Sequence, residues 1–453
     1  MSRFMTHAFA RTAFARTAFA LALAFAALGT PQARAVPIER IVSPGGIEAW
    51  IVRDATVPLV AMEFAFRGGA SQDPADKSGV AHMVAHMLDE GAGDLDDKAF
   101  SARMESRAIQ INFAASRDYF RGTLRTLKDN RGEAFDLLRL ALASARFDAA
   151  PIERVRAQML SGLRSETTNP NQIASQRWWA TAFPAHPYGR KVNGTLESVP
   201  RIGADDMRAY VGRVFARDNL KVAIVGDIEA ADAAAMLDRV FGGLPAKAQL
   251  QPVAAARPQG IGRRIVVDLD VPQAVVIFGG QGIARSDPDF IAAYIVNYIL
   301  GGGSFNSRLY REVREKRGLA YSVSDSLVWL RHAALFVGST AVRSDRAAEA
   351  LTVIEEEIRR LAAEGPTDDE LAKAKSYLKG SYALGLDTST KIASALTQIQ
   401  LDDLGIDYIN RRDALLDAVT LADARRVAKR LLDGGLLVTV VGRPQGLTSA
   451  GGG

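Results

Sequence analysis

The chain states its own plan twice. Residues Ile202 to Asp227 place an acid-started amphipathic stretch ahead of the apolar run Lys221 to Val225 and end beyond Gly226; Leu421 to Arg443 repeat that order with the run Leu436 to Val441 and Gly442. The two glycines stand 216 positions apart, and a second pair, Gly162 with Gly380, stands 218 apart. Near that second pair, Ile173-Ala174-Ser175 answers Ile392-Ala393-Ser394, and Asp73-Pro74 is loosely echoed by Asp287-Pro288. Solenoid repeats recur about every 20 to 50 residues, so a period this long means two duplicated domains.

Each half opens on strand patterns: Ile51 to Val60 and Met62 to Phe66 in the first, Arg264 to Leu269 and Ala274 to Gly279 in the second. Helical periodicity and a closing strand follow. That order predicts an α+β fold of two homologous halves, each a mostly antiparallel sheet packed by helices. The stretch 246–262, rich in Ala, Gln and Pro and without apolar period, reads as a linker. The expected domains are therefore 36–245 and 263–445, with 446–453 as a tail ending in three glycines.

Residues 1–35 differ in kind from the rest. They carry Arg3, Arg11, Arg16 and Arg34, no acidic residue, and an apolar run from Ala18 to Leu28 that leads to Ala33-Arg34-Ala35. This is the pattern of a signal peptide cleaved near Ala35, which places the mature chain in a periplasm or outside the cell. The apolar run is well short of the roughly 20 residues that span a bilayer, so the mature chain is expected to have no integral membrane segment. Four of the 56 basic residues lie in this segment, leaving 52 against 51 acidic ones. The longest basic run beyond it, Arg311 to Arg317, is broken by Glu312 and Glu315, and nothing forms a basic face for nucleic acid. The chain has no cysteine, so it relies on burial and not on disulfides.

Chemistry concentrates in His82-Met83-Val84-Ala85-His86. Two histidines at i and i+4 project from one helix face, close enough to share a metal. A catalytic zinc also needs a third protein ligand, and its water needs a carboxylate to take the proton. Ala85 cannot accept one. On spacing alone the pair fits packing or surface residues as readily as ligands, although only His186 and His332 accompany it beyond residue 35. Trp178-Trp179 reads as helix core, and Gly301 to Ser304 as a turn without the Gly-Lys-Ser/Thr of a phosphate loop. Asp94, Asp96 and Asp97 read as a solvated or helix-capping cluster.

Taken together, Gly79 to Met87 (GVAHMVAHM), Gly301-Gly302-Gly303-Ser304, Arg314 to Tyr321 (REKRGLAY) and His186-Pro187-Tyr188-Gly189 resemble the pitrilysin/insulinase family of zinc metallopeptidases. The motif of that family is the inverted H-x-x-E-H. The likeness covers nearly the whole chain beyond residue 35. It implies that Ala85 stands where the general base would be, a loss of roughly 100 to 10,000-fold by itself. It implies that the third-ligand position falls at Gly162, where no carboxylate stands; Glu166 is the nearest, one helical turn on. By its match to Gly380, Gly162 reads as a packing glycine.

The resemblance further implies that Arg314 and Tyr321, seven residues apart, act in trans on the transition state of a peptide held by another chain. Without it they would read as a solvated helix charge and a strand-core tyrosine. In that family an edge strand at the place of Ala108 to Ala115 accepts substrate peptide, but Asn112-Phe113-Ala114-Ala115 departs from the family's Asn-Ala then Thr, which argues against docking on this half.

The implied function is a non-catalytic subunit of an exported zinc metallopeptidase. His82 and His86 would be a weak or vestigial site with no tightly bound cofactor, zinc would lie in a catalytic insulinase-family partner, and the substrate would be a peptide. Two alternatives stand beside it: an independently active zinc peptidase using His82, His86 and Glu166, and a peptide-binding or scaffolding protein without catalytic role.

Overall fold

A computed structural model describes residues 37–450. The expected signal peptide, residues 1–35, lies outside the described residues, and among these no helix is long and apolar enough to cross a membrane.

The first half builds a six-stranded sheet from β1 (Ile38–Val42), β2 (Glu48–Arg53), β3 (Leu59–Arg67), β4 (Gln110–Ala115), β5 (Tyr119–Leu127) and β6 (Leu220–Gly226), in the order β1-β2-β6-β3-β5-β4. Only β2 and β6 run parallel. The single strand expected over Ile51 to Val60 is two. Asp54 accepts a hydrogen bond from the Thr56 N–H at 3.0 Å, and Pro58 follows, so a side-chain turn interrupts the ladder before β3.

The second half repeats the topology with β7 (Arg264–Val267), β8 (Gln273–Gln281), β9 (Ala320–Trp329), β10 (Ala334–Arg343) and β11 (Leu437–Val441), ordered β7-β11-β8-β10-β9. Here β11 lies between β7 and β8 and runs parallel to β7, as β6 lies between β2 and β3 and runs parallel to β2. This is the α+β, two-half architecture expected from the repeat. The repeat glycines have a shared physical reason. Gly226 and Gly442 end the closing strands at φ 143° and 141°. A Cβ at Gly226 would overlap the Leu59 carbonyl, and one at Gly442 would lie 2.9 Å from the Ala274 Cα.

The helices that position the site are α1 (Val80–Ala85), α2 (Ala149–Glu166), α3 (Pro170–Ala182), α4 (Phe290–Asn297), α5 (Ala347–Glu364), α6 (Asp368–Leu384), α7 (Ser389–Leu401) and α8 (Leu421–Leu432). Two of them are exchanged between the halves. Helix α3 leaves the first half and packs on β8 and β11, while α7 leaves the second and packs on β3 and β6. Trp178 of α3 is fully buried, and its indole N–H donates to the Leu437 carbonyl at 3.1 Å. On α7, the Thr397 hydroxyl donates to the Glu63 carbonyl at 3.2 Å and the Gln400 amide to that of Val222 at 2.9 Å. The repeated Ile-Ala-Ser triplets lie in these two helices. Their alanines, Ala174 and Ala393, are buried, small enough to let helix and sheet approach closely.

Residues 246–262 contain no helix or strand. They are tied down nevertheless: Gln251 and Gln72 exchange two hydrogen bonds, and the Ala256 and Gln259 N–H groups donate to the carbonyls of His332 and Ala182.

Candidate functional site

Helix α1 is short, and His86 already serves as its C-cap. Its start is fixed by Asp73, whose buried carboxylate accepts the N–H groups of Gly79 at 2.8 Å and Ala81 at 2.9 Å. Burial outweighs these bonds and pushes the Asp73 carboxyl up to about 7. Its sequence echo, Asp287, does another job, pairing with Arg430 at 2.6 Å.

The two imidazoles stand edge to face with ring centroids 4.6 Å apart. Burial first, and the neighbouring His86 second, hold His82 down to about 4, with Glu166 pulling the other way. His82, His86, Gln158, Gly162, Glu166 and Asn193 line one cavity of about 310 Å³. The structure therefore brings the histidine pair and the third-ligand position together. It corrects the reading of Gly162 as a packing glycine, because a Cβ there would meet nothing within 4 Å, and the same holds at Gly380. Glu166 also reaches this cavity, but its oxygens are taken by Lys191 at 2.5 Å and Asn193 at 2.6 Å. Ala85 is buried in the core of the first half.

The donor set does not fit a catalytic zinc. Two imidazoles from one turn of helix face a glycine where the third ligand would stand and a methyl group where the base would stand. Among the described residues no group of three or more His, Asp or Glu could hold a metal ion.

Arg314 belongs to a π-helical turn, Tyr310–Glu315, and Tyr321 is the second residue of the edge strand β9. The extra residue of a π turn rotates the side chains that follow it, a device frequent at functional sites. The Arg314 guanidinium carbon lies 4.7 Å from the Tyr310 ring centroid and 5.0 Å from that of Tyr321. Around it Arg308, Arg311, Lys316 and Arg317 each pair with a carboxylate, whereas Arg314 pairs with none among the described residues. Tyr321 is 83 % exposed, which excludes a strand-core role.

Two residues escaped the sequence reading. Tyr310, one turn before Arg314, forms the second wall of the guanidinium's aromatic sleeve. Asp325 of β9 is buried beneath the glycine run, accepting from the Asn297 amide at 2.8 Å and from the N–H groups of Gly301 and Gly302. A Cβ at Gly301 would stand 2.8 Å from its carboxyl carbon, so the glycines make room for the acid. Burial pushes Asp325 well above the usual carboxylate range. Period two along β9 was the available signal, since it puts Asp325 on the inner face with Val323 and Leu327.

His186-Pro187-Tyr188 joins the halves. The Tyr188 hydroxyl donates to Asp118 at 2.5 Å and accepts the His332 N–H at 3.1 Å, while Asp118 also accepts the Arg331 N–H at 2.8 Å. Strand β4 sits at its sheet's edge with only β5 beside it.

Residues 50–196 match the family described as insulinase, peptidase family M16, and residues 201–378 match the peptidase M16 inactive domain. The non-peptidase homolog YmxG of Helicobacter pylori is 28% identical over 334 residues, 73% of this chain and 77% of that protein. An uncharacterized zinc protease of Streptomyces coelicolor is 27% identical over 419 residues, 89% of each. The crystal structure of a peptidase M16 inactive domain from Pseudomonas fluorescens superposes with a TM-score of 0.85 at 26% identity, covering 90% of this chain and 98% of that one. One relative is named a non-peptidase and another a protease at equal similarity, so overall likeness does not decide activity. Fold, duplicated domains and matched sequence do decide kinship: the chain belongs to the M16 insulinase family of peptidases.

Proposed function

We propose that this chain is the non-catalytic subunit of an exported zinc metallopeptidase, presenting Arg314 and Tyr321 to a partner M16 chain that supplies zinc and the general base. The observation that carries this is the pairing of opposites in one molecule. An unpaired guanidinium is stacked on an exposed tyrosine, while the chain's own histidine cavity lacks both third ligand and base. In the partner's site the phenol and guanidinium would donate hydrogen bonds to the oxyanion that forms when water adds to the peptide carbonyl. Fixed donors aimed at developing charge are worth most in such a dry site. The name of the Helicobacter relative supports a non-peptidase reading, and residues 1–35 support export.

The test is reconstitution. The purified chain alone should not hydrolyse peptides, and mixing it with an M16 chain carrying an intact H-x-x-E-H should give chelator-sensitive turnover that neither shows alone. Chelator-sensitive hydrolysis by the isolated chain would overturn the reading.

The free edge of β4 favours a second reading, peptide capture without catalysis, in which an extended peptide adds to the sheet beside Gln110–Ala115. Under it the mixed chains would show peptide binding but no gain in turnover.

A further inference from the structure

We propose that the cleft between β7, α5 and α8 in the second half binds a single-chain amphiphile with an anionic head group, of the fatty carboxylate type. The cleft holds about 490 Å³, within the range of small-molecule sites, and lies on a different part of the fold from both the histidine cavity and the Arg314 turn. Its inner wall is aliphatic, formed by Ile358 and Ala362 of α5, Leu432 of α8, and Leu436 with Val438 leading into β11. Ile358, Ala362, Leu432 and Val438 are buried at the edge of the second half's core and Leu436 is half-buried, so an alkyl chain would lie along their outer edges and shed water there.

The mouth carries the charge. Arg263, Arg264, Arg359 and Lys429 face two carboxylates, Glu355 and Asp433. Lys429 pairs with Asp433 at 2.8 Å, and Arg264 stands 3.7 Å from Glu355, too far for a close hydrogen bond. Arg263 and Arg359 pair with no carboxylate among the described residues, Arg359 Nε donating instead to the Glu355 main-chain carbonyl at 3.2 Å. The Arg264 Nε is buried and makes no hydrogen bond, a donor left open at the junction of the aliphatic wall and the charged rim. A carboxylate head group supplies the missing acceptor and balances the excess charge, and guanidinium is the cation best shaped to hold it.

Dodecanoate titrated into the full chain and followed by calorimetry tests this. One saturable site is expected, and dodecanol should bind at least about tenfold more weakly because it offers no charge to the arginines. Ala363→Trp, placed on an exposed helix position that lines the cleft, should abolish binding; Arg263→Ala with Arg359→Ala should weaken it at least about tenfold. Circular dichroism of each variant checks folding, and the arginine pair, at the rim, gives an independent readout if the tryptophan variant does not fold. The proposal fails if dodecanoate gives no saturable heat, if dodecanol binds equally well, if both variants bind as the natural chain does, or if only vesicles of anionic phospholipid bind.

Discussion

The histidine cavity of the first half and the Arg314 turn of the second are built on one repeated topology, and they have kept opposite things. The first has the space without the groups: His82 and His86 line an open cavity with Gly162, and a buried methyl stands at Ala85. The second keeps the groups and turns them outward, with Arg314 held between two tyrosine rings and Tyr321 in solvent. On the proposed reading, two side chains, at positions 85 and 162, separate this chain from a self-sufficient zinc site.

That statement can be broken. Ala85→Glu combined with Gly162→Glu should convert the cavity into a site holding about one zinc ion per chain after dialysis, where the natural chain should retain close to none. Metal analysis decides it, and a double variant that still releases its zinc would mean that backbone geometry was lost as well. On the other side, Tyr321→Phe in a reconstituted pair should lower turnover roughly 100-fold without moving the thermal midpoint, as expected for a lost oxyanion donor. Unchanged turnover would turn the second half into scaffold.

Smaller effects sharpen the comparison through stability. Trp178→Ala empties the seat of α3 on the other half's sheet and should cost about 3–5 kcal/mol in urea unfolding, in a single transition for both halves. Glycines should sort by surroundings: Gly162→Ala and Gly380→Ala each gain about 1 kcal/mol because helix interiors favour alanine and nothing is in the way. Gly226→Ala should destabilise, because its Cβ would strike the Leu59 carbonyl.

The smallest effect is in pH. Folding lowers His82 to about 4, so the unfolded chain binds the extra proton and this contribution is full above about pH 6.5 and lost as pH falls toward 4. Folding raises Asp73 to about 7, so its contribution has the opposite sense, present in acid and lost as pH rises from about 4 to 7. Unfolding free energy should thus vary little across that window. Asp73→Asn should make it rise with pH and His82→Asn should make it fall, each by about 1–3 kcal/mol.

The duplication was legible because Gly226 and Gly442 are forced by close approach to a neighbouring strand, and such glycines recur wherever the strand order recurs. The exchange of α3 and α7 was not. Burial of Trp178 is written in its chemistry, but nothing local says which half's sheet receives it. Gly162 was misread for a related reason, since a glycine beside filled space and one beside empty space spell the same letter. The Arg314 turn was legible by resemblance in Arg314 and Tyr321, whereas Tyr310 and Asp325 emerged only from three-dimensional contacts.

The crossed helices carry one more consequence. A chain laced through itself in this way has no hinge between its halves: pulling them apart would strip a cover from both sheets at once and bare two hydrophobic floors. The two halves must therefore move as one body.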